Sequence, residues 1–307
     1  MSDSTRTIVT ANKASGTYSA KAAQGIRTPK STGSDKVVGG ISHVVLAIWS
    51  IIVILPLLWT LLSSFKTSKE VLASPFGLPA NWNFDNYVTA WVQNNFGGMF
   101  LNTVIVVGFS LIFVMVLGAM CAYVLARFSV PGSRIIYYLM LAGLTFPVFL
   151  AIVPLFFVLQ GIGLLGTLPG LIITYVAFAL PFTVFFLYSF FQALPNEIQE
   201  AAYVDGASEW RTFFQVMLPM AKPGLAAVAI LNFLGLWNQF LLPVALNPQA
   251  DQYVLSQGLA AYASSAGYRI DFGGLFASVV ITIVPVLVAY IFFQRQLQGS
   301  VTQGTSK

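Results

Sequence analysis

Between two apolar blocks the chain reads EAAYVDGASEWRTFFQVMLP, Glu200 to Pro219, and what kind of connection this is decides the fold. Counted from Glu197, four acids (Glu197, Glu200, Asp205 and Glu209) fall within thirteen positions of a chain otherwise poor in charge. The 307 residues are 57% hydrophobic and 8% charged, with a mean hydropathy of +0.80. A soluble domain carries about a quarter charged residues, so the composition is that of an integral membrane protein. The acidic stretch therefore joins two membrane spans.

About 20 apolar residues are needed to cross a bilayer core as helix. Six segments meet this without an internal Asp, Glu, Lys or Arg: Ile41–Leu62, Val104–Val124, Ile135–Val158, Leu168–Phe191, Leu225–Leu246 and Phe272–Phe293. The charge distribution orients them, because cytoplasmic loops collect Lys and Arg. With the N-terminus inside, Arg6, Lys13, Lys21, Arg27, Lys30, Lys36, Arg127, Arg134, Arg211, Lys222, Arg295 and Lys307 are cytoplasmic. Only Lys66, Lys69 and Arg269 fall outside. Both termini and the acidic stretch are thus expected in the cytoplasm. Six prolines (Pro56, Pro147, Pro154, Pro181, Pro243 and Pro285) lie in the spans and are expected to kink them.

Residues 1–40, rich in Ser, Thr, Gly, Ala and Lys, have too little apolar surface to offset their ordering entropy and read as a disordered tail. Residues 298–307 form a short cytoplasmic tail. One cysteine, Cys121, excludes an internal disulfide, and one histidine, His43, leaves no His/Cys metal site to build.

Within the loop, residues 192–224, Pro195 suits the first turn of a helix, and Glu197 and Glu200 favour its positive end. Gly206 supplies a left-handed stop, and Ser208 can cap a second helix carrying Trp210, Phe213 and Phe214. A helix–turn–helix invites a nucleic-acid reading, but with only Arg211 and Lys222 against the four acids the loop cannot serve phosphate contact. Ala201, Ala202 and Gly206 leave a surface of little bulk that another protein can approach closely.

Glu200-Ala201-Ala202, Gly206, Val216 and Leu218-Pro219 stand at the spacing of the cytoplasmic loop signature of permease subunits of ATP-binding-cassette importers. NTVIV at Asn102–Val106, AYVLARF at Ala122–Phe128, LPFTVFFLYSFFQALPNEIQEAAYVDGAS at Leu180–Ser208 and WNQFLLPVAL at Trp237–Leu246 resemble the carbohydrate-uptake, maltose-type branch. The resemblance covers roughly residues 40–297. It implies an all-α integral membrane fold, six transmembrane helices with a cytoplasmic coupling helix, as in type I importers. It also implies a bacterial or archaeal cell membrane and a heterodimer with a second permease. An ATP-binding subunit dimer and an extracytoplasmic solute-binding protein would complete the assembly. ATP and Mg would sit on the partner ATPase, and this chain would bind no cofactor. Consistent with that, no G-x-x-x-x-G-K-[ST] loop occurs in the sequence. By resemblance, Glu200, Ala201, Ala202, Asp205, Gly206, Leu218 and Pro219 belong to the ATPase-docking loop, the first five forming its docking face.

The spans bear on the cargo. Ion-coupled carriers and channels place ionisable groups in mid-membrane, and here only His43 lies within a span, at its very start. An uncharged solute is favoured: a sugar, mono- or oligosaccharide, amino sugars included, with a polyol or glycerol phosphate as the alternative. Asn232, Trp237, Asn238 and Gln239 of the fifth span, and Tyr175 and Tyr188 of the fourth, are candidates for the solute pathway. Amides serve sugar hydroxyls and aromatic rings serve sugar faces. Interhelical hydrogen bonding within the bundle is the competing use of each. On the outer side, Gly97-Gly98 and Tyr253, Tyr262, Tyr268 and Arg269 are candidates for contact with a binding protein.

Overall fold

The computed structural model describes residues 33–269 and 271–303, and side chains within 39–265 and 271–294. The expected tail therefore lies mostly outside the described residues, as do the side chains of Tyr268 and Arg269.

Among the described residues every regular element is a helix: α1 (Gly33–Ser63), α2 (Ser68–Ala73), α3 (Asp85–Val88), α4 (Phe96–Arg127), α5 (Ser133–Thr145), α6 (Val148–Gly161) and α7 (Leu168–Ala193), then α8 (Asn196–Val204), α9 (Glu209–Arg211), α10 (Leu218–Met220), α11 (Lys222–Trp237), α12 (Leu241–Leu246), α13 (Leu255–Arg269) and α14 (Phe272–Gln303). Thr89–Gln93 and Thr212–Met217 are π-helical turns, the latter joining α9 to α10. The chain divides after Leu55 into two units. The first holds α1 up to Leu55, whose side chains Ile41, Leu46, Trp49 and Ile51 are exposed around the helix. A helix apolar on every face belongs in lipid or protein rather than water.

In the second unit, α4 and α7 form the most extensive packing, α5 lies against α7, α11 against both, and α14 against α11 and α13. Small residues set these approaches: a Cβ at Gly118 would stand 2.5 Å from Thr183 Cγ2 of α7. One apolar cluster, with Phe96, Val106, Leu171, Tyr175 and Trp237, fills the end of the bundle where α4 begins. A second, with Ala122, Tyr123, Leu187, Phe191, Phe213 and Met217, fills the end where α4 finishes.

Four helices are long and apolar enough to cross a membrane singly: Gly39–Ser63, Phe96–Arg127, Leu168–Ala193 and Phe272–Gln294. Two bent pairs complete a set of six, and both depart from the continuous spans expected. The third span breaks into α5 and α6, at 106° to one another, across Phe146–Pro147. Pro147 has no N–H and forces the residue before it out of helical geometry, and Phe146 is extended at φ −73°, ψ 121°. Pro56, Pro154, Pro181 and Pro285 instead lie inside continuous helices. The expected fifth span Leu225–Leu246 is interrupted at Asn238–Phe240, and α11 meets the preceding Glu209–Met220 segment at 76°.

Candidate docking loop and solute pathway

The loop folds as helix, glycine turn, helix. After α8 the chain reverses through Gly206, at φ +78°. There Ala207 N–H bonds Ala202 O (2.9 Å) and Gly206 N–H bonds Tyr203 O (3.0 Å). This pair is a Schellman closure, which needs a left-handed residue at that position. Ser208 Oγ accepts from Arg211 N–H (3.4 Å) and opens α9.

One face of α8 points away from the protein. Glu197, Glu200, Ala201, Asp205 and Gly206 are exposed, and Val204 at its tip is 88% exposed. Ala202 departs from its expected place: at 8% exposure it is turned inward with Gln199, and supports the face from behind. Leu218 and Pro219 are partly buried, Leu218 against the second apolar cluster. Beneath α8, Gln199 Nε2 donates to Tyr203 Oη (2.7 Å), which donates to Glu209 Oε2 (2.6 Å). Partial burial, then the bond to Glu209, holds the Tyr203 phenol above its ordinary range, so it remains a donor.

The loop rests on a rigid base. The Phe213 ring lies 4.9 Å from Tyr123 of α4, which lies 5.5 Å from Phe191 of α7. Burying side chains such as Phe191, Phe213 and Met217 contributes about 1.5–3 kcal/mol each where water is displaced. Arg127, the last residue of α4, donates through Nη2 to Leu194 O (2.6 Å) and through Nη1 to Asn196 Oδ1. In the sequence Arg127 and Asn196 stand within stretches that resemble the family but carry no site role there; a lone arginine closing a charge-free span is the local signal for Arg127.

The pathway candidates divide by what holds them. Asn232 is buried, and its Nδ2 donates to Thr183 Oγ1 of α7 (2.8 Å). Trp237 is buried, and its Nε1 donates to Thr282 O of α14 (3.2 Å). Tyr175 is enclosed in the first apolar cluster. These three serve helix packing. Tyr188 accepts from Gln192 Nε2 (2.8 Å) and lines, with Ser133, Arg134, Tyr137 and Tyr138, an open cleft of about 220 Å³. Asn238 is exposed at the interruption of the fifth span and Gln239 half-buried beside it. Both use their amides only locally, Asn238 to Leu234 O (2.8 Å) and Gln239 to Phe240 N–H (3.1 Å).

At the opposite end, Asn102 Nδ2 donates to Tyr253 O (3.0 Å) and Thr103 Oγ1 accepts from Leu255 N–H (2.8 Å). The NTVIV segment thus fastens the α12–α13 connection to α4. Gln257 reinforces it, donating to Pro243 O (2.9 Å) and Asn247 O (2.7 Å). Tyr262 is buried and donates to Asp271 Oδ2, so its phenol is engaged inside this end of the protein.

A bundle of bent and continuous membrane helices carrying an exposed acidic coupling helix defines a transport subunit, and the comparisons name its class. Residues 115–303 match the model of the binding-protein-dependent transport system inner membrane component family, and the chain belongs to that family. It is 68% identical to the diacetylchitobiose uptake system permease protein NgcG of Streptomyces coelicolor over 272 residues, 89% of this chain and 90% of that protein. It is 32% identical to the trehalose transport system permease protein SugB of Mycobacterium tuberculosis, over 83% of this chain and 92% of that one. With the arabinooligosaccharides transport system permease protein AraQ of Halalkalibacterium halodurans it shares 33%, over 83% and 92%. The fold matches a chain of a crystallised bacterial ABC transporter involved in the import of alginate, with TM-score 0.74 and 22% identity, covering 87% of this chain and 99% of that one. The chain is a multi-pass permease of the type I importer fold, a transport protein and not an enzyme.

Proposed function

We propose that this permease is one of two in an ATP-driven importer that carries an amino sugar of the diacetylchitobiose class into the cytoplasm. The observation that carries the proposal is the 68% identity, over nearly the whole of both chains, to a diacetylchitobiose uptake permease. An extracytoplasmic solute-binding protein delivers the sugar, and an ATPase dimer holding ATP and Mg drives the cycle. The N-terminus, the C-terminus and α8 face the cytoplasm, where the basic residues collect.

Glu200, Ala201, Asp205 and Gly206, with Val204 at the tip, form the face that enters the ATPase. Their exposure on a short helix closed at its end by Gly206 supports this. A rigid helix transmits displacement that a slack loop would absorb. Asn238 and Gln239 contact the passing sugar. Non-helical backbone at membrane depth is tolerated where protein or a water-filled cavity surrounds it, and broken helices mark the binding region in many transporters.

The test is uptake of labelled N,N′-diacetylchitobiose by proteoliposomes holding both permeases and the ATPase, supplied with the binding protein. Import that needs ATP, the binding protein and this chain, and resists excess glycerol phosphate, is expected. Import of glycerol phosphate or a polyol in preference would overturn the cargo. Import driven by an ion gradient without ATP would overturn the mechanism.

A further inference from the structure

The joint between α7 and α8 is held by a residue of a third helix. Arg127 reaches from the end of α4 to Leu194 O and Asn196 Oδ1, one on each side of Pro195. Pro195 has no N–H, and no side chain caps the start of α8. The fork of Arg127 therefore ties the start of α8 to the end of α4, while Ala202, Gln199 and the Tyr203–Glu209 bond hold its far side to the Thr212–Met217 segment and α9. Tyr123, Phe191 and Phe213 pack in the apolar cluster beside the joint, and the bond to Leu194 O is partly buried against it. The third nitrogen of the guanidinium, Nε, is buried and without a partner.

We propose that Arg127 is the positioning residue that fixes α8 on the bundle and passes its displacement to α4. α4 packs most extensively on α7, and α7 is bonded to α11 through Thr183 and Asn232, so a shift of this one helix end is felt by three spans. A lysine cannot reproduce the fork, because its single ammonium does not meet both acceptors in one plane. This assignment rests on the reading of α8 as the element that docks the ATPase.

The experiment uses the assembled transporter carrying Arg127→Ala, Arg127→Lys or Asn196→Ala. It reads hydrogen exchange over residues 196–204, capture of the ATPase, and sugar imported per ATP hydrolysed. Arg127→Ala should raise α8 exchange about tenfold or more, keep α4 and α7 protected, retain the ATPase and cut transport per ATP about tenfold. Arg127→Lys and Asn196→Ala should fall between, each keeping part of the fork. Unchanged α8 exchange in Arg127→Ala overturns the clamp. Raised exchange with transport per ATP unchanged overturns the transmission. Loss of α4 and α7 protection in Arg127→Ala, with Asn196→Ala at wild-type exchange, makes Arg127 a folding residue and also overturns it. Failure of Val204→Cys to cross-link to the ATPase in the otherwise unaltered transporter would instead overturn the docking reading, leaving the exchange result intact.

Discussion

Replacing Gly206 tests whether the coupling turn depends on backbone conformation or on space. At φ +78° a residue with a Cβ is strained, by about 1–2 kcal/mol for an ordinary side chain and less for asparagine. Nothing lies within 4 Å of a Cβ built at this position, so the cost of alanine is one of backbone alone. One to two kcal/mol lowers the population of the closed turn about 5- to 30-fold relative to its opened form. Proline does more. Its φ near −65° is incompatible with the turn, and it removes the Gly206 N–H bond to Tyr203 O, worth about 1 kcal/mol. Uptake per inserted molecule, with ATPase activity measured in parallel, should fall in the order Gly, Asn, Ala, Pro. Membrane insertion should be equal in all four, because residue 206 lies outside every span. The proline variant should hydrolyse ATP without importing sugar. Equal uptake by glycine, alanine and proline variants would refute the reasoning. So would a loss that follows side-chain size, with asparagine worse than alanine, since the geometry leaves room for both.

Reversing charge on the exposed face, Glu200→Lys or Asp205→Lys, should cut uptake at least about tenfold and release the ATPase on affinity capture, as a reversed charge brought into a complementary interface costs several kcal/mol. In the bundle, Thr183→Val leaves the buried Asn232 Nδ2 with only the weak Met115 Sδ acceptor at 3.8 Å and should cost about 1–2 kcal/mol, lowering the unfolding temperature in detergent. Adding Asn232→Leu should restore part of that loss, and a purely additive double variant would count against the bond. Asn238→Ala and Gln239→Ala should raise the KM for sugar. Trp237→Phe should lower stability by about 1 kcal/mol with KM unchanged, since its indole N–H is spent on Thr282 O. A KM effect at Trp237 and none at Asn238 or Gln239 would reverse the assignment of the pathway.

The apolar spans, the acidic helix and its glycine turn were legible in the residues themselves. Hydropathy, the left-handed preference of Gly206 and the capping by Ser208 are properties of single residues and near neighbours, so a linear reading reaches them. The family resemblance was likewise carried by contiguous stretches such as Glu200–Pro219 and Asn102–Val106.

Tertiary structure decided the rest. Six prolines looked alike in sequence, yet only the Phe146–Pro147 step separates two helices, because whether a helix continues past a proline depends on neighbours that satisfy the freed carbonyl. Asn232, Trp237 and Asn238 looked alike as polar residues in a greasy span. Two are turned into the bundle and bonded to α7 and α14, and the third stands at a break. Ala202 and Ala201 are adjacent and chemically identical, but one is buried and the other exposed. The partners of Asn232 and Trp237 lie 49 and 45 residues away along the chain, and only the packing of helix on helix brings them into contact.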